Sequence, residues 1–314
     1  MSAGGAIVSP TGVEAAVAVG AVRLPNAVIA ASGTFAYGLE FAGLVDLSAL
    51  GAISIKGVSL KPYAGKPAPR LVETPGGMLN AIGLQNVGVE VFLREYLPQL
   101  QQAGARVIAN FWGDSAQEFG ECAERLDGAP GIVALELNCA SPNRPEWGGI
   151  LATDPTALAA IVRAVRLRTR MPLWVKLSPN LADITTVGRA AEAEGADALC
   201  AINTLRGMAV DMTTRRPRLH AGSGGLSGPA IKPVALAMVR QLAAAVRIPV
   251  VGIGGIRTGE DALEFLTVGA AAVQVGTATF YDPTAPVRIA QEIEAWCLRH
   301  GVATVAEITG SLRP

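Results

Sequence analysis

Five polar residues stand where apolar runs give way to loops: Lys56, Asn110, Asn138, Lys176 and Asn203. A buried amide or ammonium without a partner is costly. One such residue would be satisfied by loop backbone. Five together suit a ligand rich in hydrogen-bond acceptors, such as an isoalloxazine ring or a carboxylated pyrimidine. Lys176 is followed by Leu177-Ser178-Pro179. A strand-end lysine could form a Schiff base. A hydrogen bond to a flavin is preferred, since the glycine-rich loops late in the chain imply a bound cofactor, and it would stabilise the reduced ring at its N1–C2 edge.

A second group of residues speaks for an anion. Gly252-Ile253-Gly254-Gly255, Gly276-Thr277 and Gly224-Gly225-Leu226-Ser227-Gly228 all lie late in the chain. Glycine lets backbone N–H groups approach a phosphate closely. The last of these loops leads into a helix near Pro229, whose N-terminus favours negative charge. Any one of the three could be glycine-rich only to turn; three together favour a phosphate site. None is the GxGxxG dinucleotide fingerprint, so a mononucleotide phosphate is expected, and FMN fits.

The elements that would position these groups alternate along the chain. Eight short apolar runs read as strands: 27–31, 52–56, 106–111, 133–138, 173–177, 198–203, 249–253 and 272–276. Most are apolar on both faces, as in a buried parallel sheet. Helical periodicity fills 117–126, 156–169, 184–194, 233–246, 260–268 and 285–299. Asp154-Pro155 is a good helix start, and Gly195 a plausible helix stop. Eight such units favour an α/β fold of the (β/α)8 TIM-barrel kind over an open doubly wound sheet. In such a barrel the polar strand ends and the glycine loops share one face. Two connections are long, from Gly57 to Arg106 and from Leu205 to Pro229, and long loops in compact domains usually carry function.

Composition excludes several classes. The chain has 314 residues, half of them hydrophobic, with 26 basic and 26 acidic side chains. That balance offers no footprint for nucleic acid. Cys122, Cys139, Cys200 and Cys297 form no CxxC pair, so neither a metal nor a cluster is expected, and a reducing cytoplasm is the default. The first twenty residues lack a basic start and a long apolar run, so no signal peptide or membrane span is expected. The whole chain, 1–314, is expected to be one FMN-binding barrel domain, with 1–20 as a loose N-terminal tail.

Several stretches together resemble the dihydroorotate dehydrogenase family. They are Ala31-Ser32-Gly33-Thr34-Phe35, Lys56-Gly57, Asn80-Ala81-Ile82-Gly83-Leu84-Gln85-Asn86, Glu136-Leu137-Asn138 with Ser141-Pro142-Asn143, and Val175-Lys176-Leu177-Ser178-Pro179-Asn180. Asn203-Thr204, Gly224 to Pro233, Gly254-Gly255 and Val275-Gly276-Thr277-Ala278 complete the set. The resemblance runs from Val22 to Pro283 and is greatest to class 1, subclass B. It implies oxidation of dihydroorotate to orotate in pyrimidine biosynthesis. It also implies a second subunit carrying FAD and an iron–sulfur cluster that passes electrons to NAD⁺, in a homodimer or a heterotetramer. Fumarate or a quinone would need no such subunit.

By motif, the resemblance implies that Ser32, Lys56, Gly57, Asn110, Asn138, Lys176, Ile202, Gly228, Gly254, Gly255, Gly276 and Thr277 touch FMN. Lys56, Asn80, Ala81, Ile82, Gly83, Leu84, Asn138, Asn143, Asn203 and Thr204 would hold the substrate. One position departs from the class 1 pattern: the base is usually cysteine, and here it is Ser141. A serine hydroxyl is a far weaker acid than a thiol and needs a relay or a neighbouring acceptor. Cys139, two residues earlier, could substitute, but is more simply a packed thiol. The segment holding Trp147, Gly148 and Gly149 reads as a lid, with Trp147 as its anchor in the other reading. The Ser141 departure leaves a related dihydropyrimidine such as dihydrouracil open as substrate. A phosphometabolite lyase or binding barrel without flavin is a further alternative.

Overall fold

The computed structural model describes residues 12–141 and 151–313. Eight parallel strands close into a barrel: β1 Val28–Ala30, β2 Ala52–Ser54, β3 Val107–Phe111, β4 Ile132–Leu137, β5 Leu173–Lys176, β6 Ala198–Ala201, β7 Val250–Ile253 and β8 Ala270–Val275. Each pairs with its sequence neighbours, and β8 returns to β1. The strands are buried on both faces because helices cover the outside and side chains fill the inside. All eight expected runs are barrel strands, so the open sheet is excluded. Several strands end short of the expected bound, leaving Lys56, Asn138, Asn203 and Gly276 just past the ladder. Their neighbourhood stays tied to the barrel, since Asn138 N–H donates to the Phe111 carbonyl (2.9 Å) and Asn203 N–H to that of Leu177 (2.9 Å).

The covering helices are α1 Leu97–Gln102, α2 Ala116–Leu126, α3 Pro155–Arg166, α4 Ile184–Ala193, α5 Lys232–Ala245, α6 Gly259–Thr267 and α7 Ala285–His300. Their starts are chemically marked. Ser115, Asp154 and Asp183 each accept a backbone N–H of the first turn, and Thr258 with Asp261 forms a capping box. The α3 helix stops three residues earlier than expected, where the Arg166 guanidinium takes the Thr169 and Met171 carbonyls, each at 2.7 Å. Between β1 and β2 the described residues hold only two 3-10 turns, Leu39–Phe41 and Leu47–Ala49.

Two departures from expectation concern the barrel's ends. Residues 12–20 are no loose tail. Val17–Val19 pairs with Val22–Leu24, and Val17, Val19, Val22 and Leu24 are buried in the main core. Alternating apolar residues give that short hairpin an inward face, and Glu14 bonds to Ala303 and Val305 across the same end. At the opposite end the two long connections build a four-stranded antiparallel sheet. Its order is Leu205–Gly207, Gly224–Ser227, Gly77–Asn80 and Leu71–Thr74. Val72, Leu79, Ala81 and Leu219 pack within it as a small separate core.

Candidate active site

The barrel interior directly below the site is polar. Bulky aliphatic side chains dominate barrel interiors, yet Ser54 of β2, Asn110 of β3, Glu136 of β4, Lys176 of β5 and Gln274 of β8 are all buried there. They satisfy one another. One Glu136 oxygen accepts from Asn110 Nδ2 (2.5 Å), Ser54 Oγ (3.0 Å) and Ser32 Oγ (3.4 Å). The other accepts from Gln274 Nε2, and Gln274 Oε1 accepts from Lys176 Nζ at 3.3 Å. Burial alone would push the Glu136 carboxyl up. The Lys176 charge and the Gln274 and Asn110 hydrogen bonds outweigh it and hold the group below the usual carboxylate range.

Above this layer lies a cavity walled by the strand ends and roofed by the antiparallel sheet. Ser32, Lys56, Gly57, Asn110, Asn138, Lys176 and Ile202 form its wall. Gly57 is there for space, because a Cβ on it would sit 2.5 Å from Asn110 Oδ1. Asn138 Nδ2 donates to Asn110 Oδ1 (3.3 Å), while Asn138 Oδ1 is buried without a hydrogen-bond partner. Burial pushes Lys56 down from the usual lysine range, and the Arg70 charge adds to that.

Asn80, Ile82, Gly83 and Leu84 form the roof, with Asn203 and Thr204 beside them. Gly83 and Leu84 both have positive φ, 83° and 65°, a conformation that is strained for leucine. Asn86 holds it: its Nδ2 donates to the Leu84 carbonyl (3.1 Å) and its Oδ1 accepts from the Gly88 N–H (2.8 Å). Asn180 does the same for Thr204, donating to its carbonyl at 3.0 Å and accepting the Arg206 N–H at 2.8 Å.

Glycines furnish the remaining wall. Gly228, Gly254, Gly255, Gly276 and Thr277 all line the cavity. Gly255, at φ 75°, lies so close to α5 that a Cβ would meet Lys232 Cβ at 2.7 Å and the Gly228 carbonyl at 3.0 Å. Gly228 and Gly276 each precede a helical turn, Pro229–Ile231 and Thr277–Phe280, and neither start carries a side-chain cap. At the first turn Pro229 has no N–H and the Ala230 N–H donates to the Gly76 carbonyl (2.9 Å), so only the second, at Thr277 and Ala278, offers N–H groups to an anion.

The chain thus brings nearly every expected residue to one cavity, including Ser141, which is 4% exposed. Ala81 is the exception: it packs with Val72, Leu79 and Leu219 in the roof, because alternation along the strand turns it away from Asn80. Asn143, Trp147, Gly148 and Gly149 lie outside the described residues. Cys139 is fully buried with its thiol pushed up to about 12, so it is a packed thiol. All four cysteines are free and buried. Glu136, Gln274, Asn86 and Asn180 brace the cavity's wall and roof through hydrogen bonds, a part that the sequence did not assign them. A polar residue inside an apolar strand was the available signal for the first two.

An elongated ligand with an acceptor-rich ring and a phosphate fits these donors. The unpartnered Asn138 Oδ1 leaves one acceptor that a ring N–H could satisfy, and the glycine-lined end leaves room that Cβ atoms would fill. Among the described residues no group of His, Cys, Asp and Glu could hold a metal ion, and no helix is long and apolar enough to cross a membrane.

Comparison with known proteins agrees with this geometry. The family model "Dihydroorotate dehydrogenase" matches residues 14–297. Similar proteins are the "Dihydroorotate dehydrogenase B (NAD(+)), catalytic subunit" of Citrifermentans bemidjiense, 52% identical over 95% of this chain and 98% of its own length, and that of Trichlorobacter lovleyi, 53% identical over 94% and 97%. The Geobacter sulfurreducens protein of the same name is 53% identical over 95% and 98%. A barrel whose strand tips carry these amides and lysines, matched along nearly its full length, belongs to the dihydroorotate dehydrogenase family.

Proposed function

We propose that the chain oxidises (S)-dihydroorotate to orotate with bound FMN, and that a partner subunit carries the electrons on to NAD⁺. One observation supports this most: cationic and amide side chains share a single cavity with a glycine-lined wall that ends on the uncapped turn at Thr277–Phe280. FMN, when bound, supplies the hydride acceptor. Gly228, Gly254, Gly255, Gly276 and Thr277 would take its phosphate. Ser32, Lys56, Gly57, Asn110, Asn138, Lys176 and Ile202 would hold its ring.

Lys56 would pair with the substrate carboxylate. Asn80, Asn138 and Asn203 offer both donors and acceptors to the two amide edges of the pyrimidine, helped by the Ile82–Leu84 backbone and Thr204. Ser141 would take the proton from C5 of the substrate. Its near-complete burial keeps bulk water from competing for that proton. The printed names of the relatives, "catalytic subunit" and "NAD(+)", support a partner. By family resemblance that partner would be an FAD and iron–sulfur protein, in a cytoplasmic assembly.

The test is anaerobic bleaching of the flavin absorbance. Dihydroorotate should bleach the purified yellow chain and dihydrouracil should not. A colourless chain that takes up no FMN refutes the flavin reading, and bleaching by dihydrouracil alone refutes the substrate. Copurification with a protein bearing FAD and an iron–sulfur cluster tests the partner.

A further inference from the structure

Beneath the cavity, one carboxylate and one ammonium are joined through an amide. Glu136 and Gln274 are fully buried and Lys176 is 5% exposed. Lys176 belongs to the cavity wall; Glu136 and Gln274 lie one layer below it. Gln274 presents its oxygen to Lys176 Nζ and its NH₂ to Glu136. An amide has one accepting and one donating end, so opposite charges at the two ends permit a single orientation. Flipping it would set N–H against ammonium and oxygen against carboxylate. Glu136 is in turn fixed by Asn110, Ser54 and Ser32 on its far oxygen. The arrangement holds the ammonium in one place and keeps a negative charge close behind it.

We propose that Glu136 and Gln274 are positioning residues that fix the Lys176 ammonium at the bound flavin and set the reduction potential of that flavin. The inference rests on the FMN reading above. It predicts opposite effects for the two side chains. Glu136→Gln keeps the shape and removes the anion that opposes incoming electrons. Gln274→Met keeps the length and both charges but frees the ammonium, weakening its pull on those electrons.

The experiment is spectroelectrochemical titration of the FMN-loaded full chain. Glu136→Gln should raise the midpoint potential and Gln274→Met should lower it. Each shift should be about tenfold in the oxidised-to-reduced ratio at fixed potential, or about 30 mV for a two-electron couple. If only one variant folds, the sign of its shift decides. Shifts of the same sign, potentials unmoved from wild type, or loss of flavin from both variants would assign the pair to packing and overturn the proposal. A wild-type chain that binds no FMN refutes the flavin reading instead, so the two failures are distinguishable.

Discussion

Gly57 gives a direct way to disturb the site without touching a charge. Gly57→Ala would place a Cβ 2.5 Å from Asn110 Oδ1. Reaching the 3.4 Å of an ordinary contact requires Asn110 to retreat by about 0.9 Å. Asn110 has little room, since it is fully buried on β3. Its Nδ2 is bonded to Glu136 at 2.5 Å, and its Oδ1 accepts from Asn138 at 3.3 Å. A hydrogen bond to a charged group contributes about 1.5–3 kcal/mol, and overpacking a core costs about 1–3 kcal/mol.

The two costs overlap if Asn110 swings away, so the expected loss of stability is about 2–4 kcal/mol in urea unfolding. FMN affinity, read by flavin fluorescence on dilution, should fall by about tenfold to a hundredfold, as roughly 1.4–2.8 kcal/mol of Asn110 positioning is lost. Gly43→Ala is the control, because nothing lies within 4 Å of its Cβ. It should change stability by no more than about 0.5 kcal/mol. If Gly57→Ala bound FMN as tightly as wild type while losing stability, Asn110 would hold no ligand and serve only the barrel floor.

Other perturbations separate the roles of neighbouring residues. Ser141→Ala should slow flavin bleaching by dihydroorotate about 10²–10⁴-fold with FMN retained; an unchanged stopped-flow rate would remove Ser141 from the mechanism. Lys56 is depressed by burial and by Arg70, so its charge is lost below the ordinary lysine pKa, and KM for dihydroorotate should climb on the alkaline side. Arg70→Gln should move that climb to higher pH, and a pH-independent KM would show that Lys56 does not pair with the carboxylate. Glu136 is held below the usual range, so it adds stability above its unfolded pKa, and that stability is lost as pH falls through the folded value. Acid unfolding of Glu136→Gln should accordingly be less steep below about pH 4.3, as read by circular dichroism. At the far end of the barrel, Arg166 bonds to the Thr169, Met171 and Gly195 carbonyls and to Asp197. Arg166→Ala should cost about 2–3 kcal/mol of stability and leave kcat unchanged.

The parts of this protein that were legible in its sequence are those with local causes. A strand buried on both faces reads as an unbroken apolar run, and 106–111 or 249–253 can hardly be anything else. The glycine-lined wall of the cavity was legible because glycine carries its reason with it: Gly228, Gly254 and Gly255 adopt positive φ at 100°, 135° and 75°. The roof sheet was not. Gly77–Asn80 and Gly224–Ser227 contain glycines that weaken any strand signal. They are stabilised by pairing with each other across nearly 150 residues, which no window along the chain can see. The N-terminal hairpin failed for a related reason. Three residues of alternation at Val17–Val19 are too few to distinguish from a tail until the core they face exists.

The same distinction explains why Glu136 and Gln274 stayed hidden while Lys176 did not. Lys176 ends its strand, where a charge is conspicuous. Glu136 and Gln274 sit inside theirs, flanked by apolar neighbours on both sides, so each reads as an isolated polar interruption of a buried run. A lone buried carboxylate would be expensive, and the sequence offers no adjacent cation to offset it. The offset comes from barrel closure, which brings β4, β5 and β8 around a common axis and puts one amide between two opposite charges. The fold is therefore a precondition for the charge pair, and the charge pair for a fixed ammonium in the cavity wall. Polar residues that interrupt apolar barrel strands are best sought as sets, summed to neutrality over the closed ring, rather than judged one strand at a time.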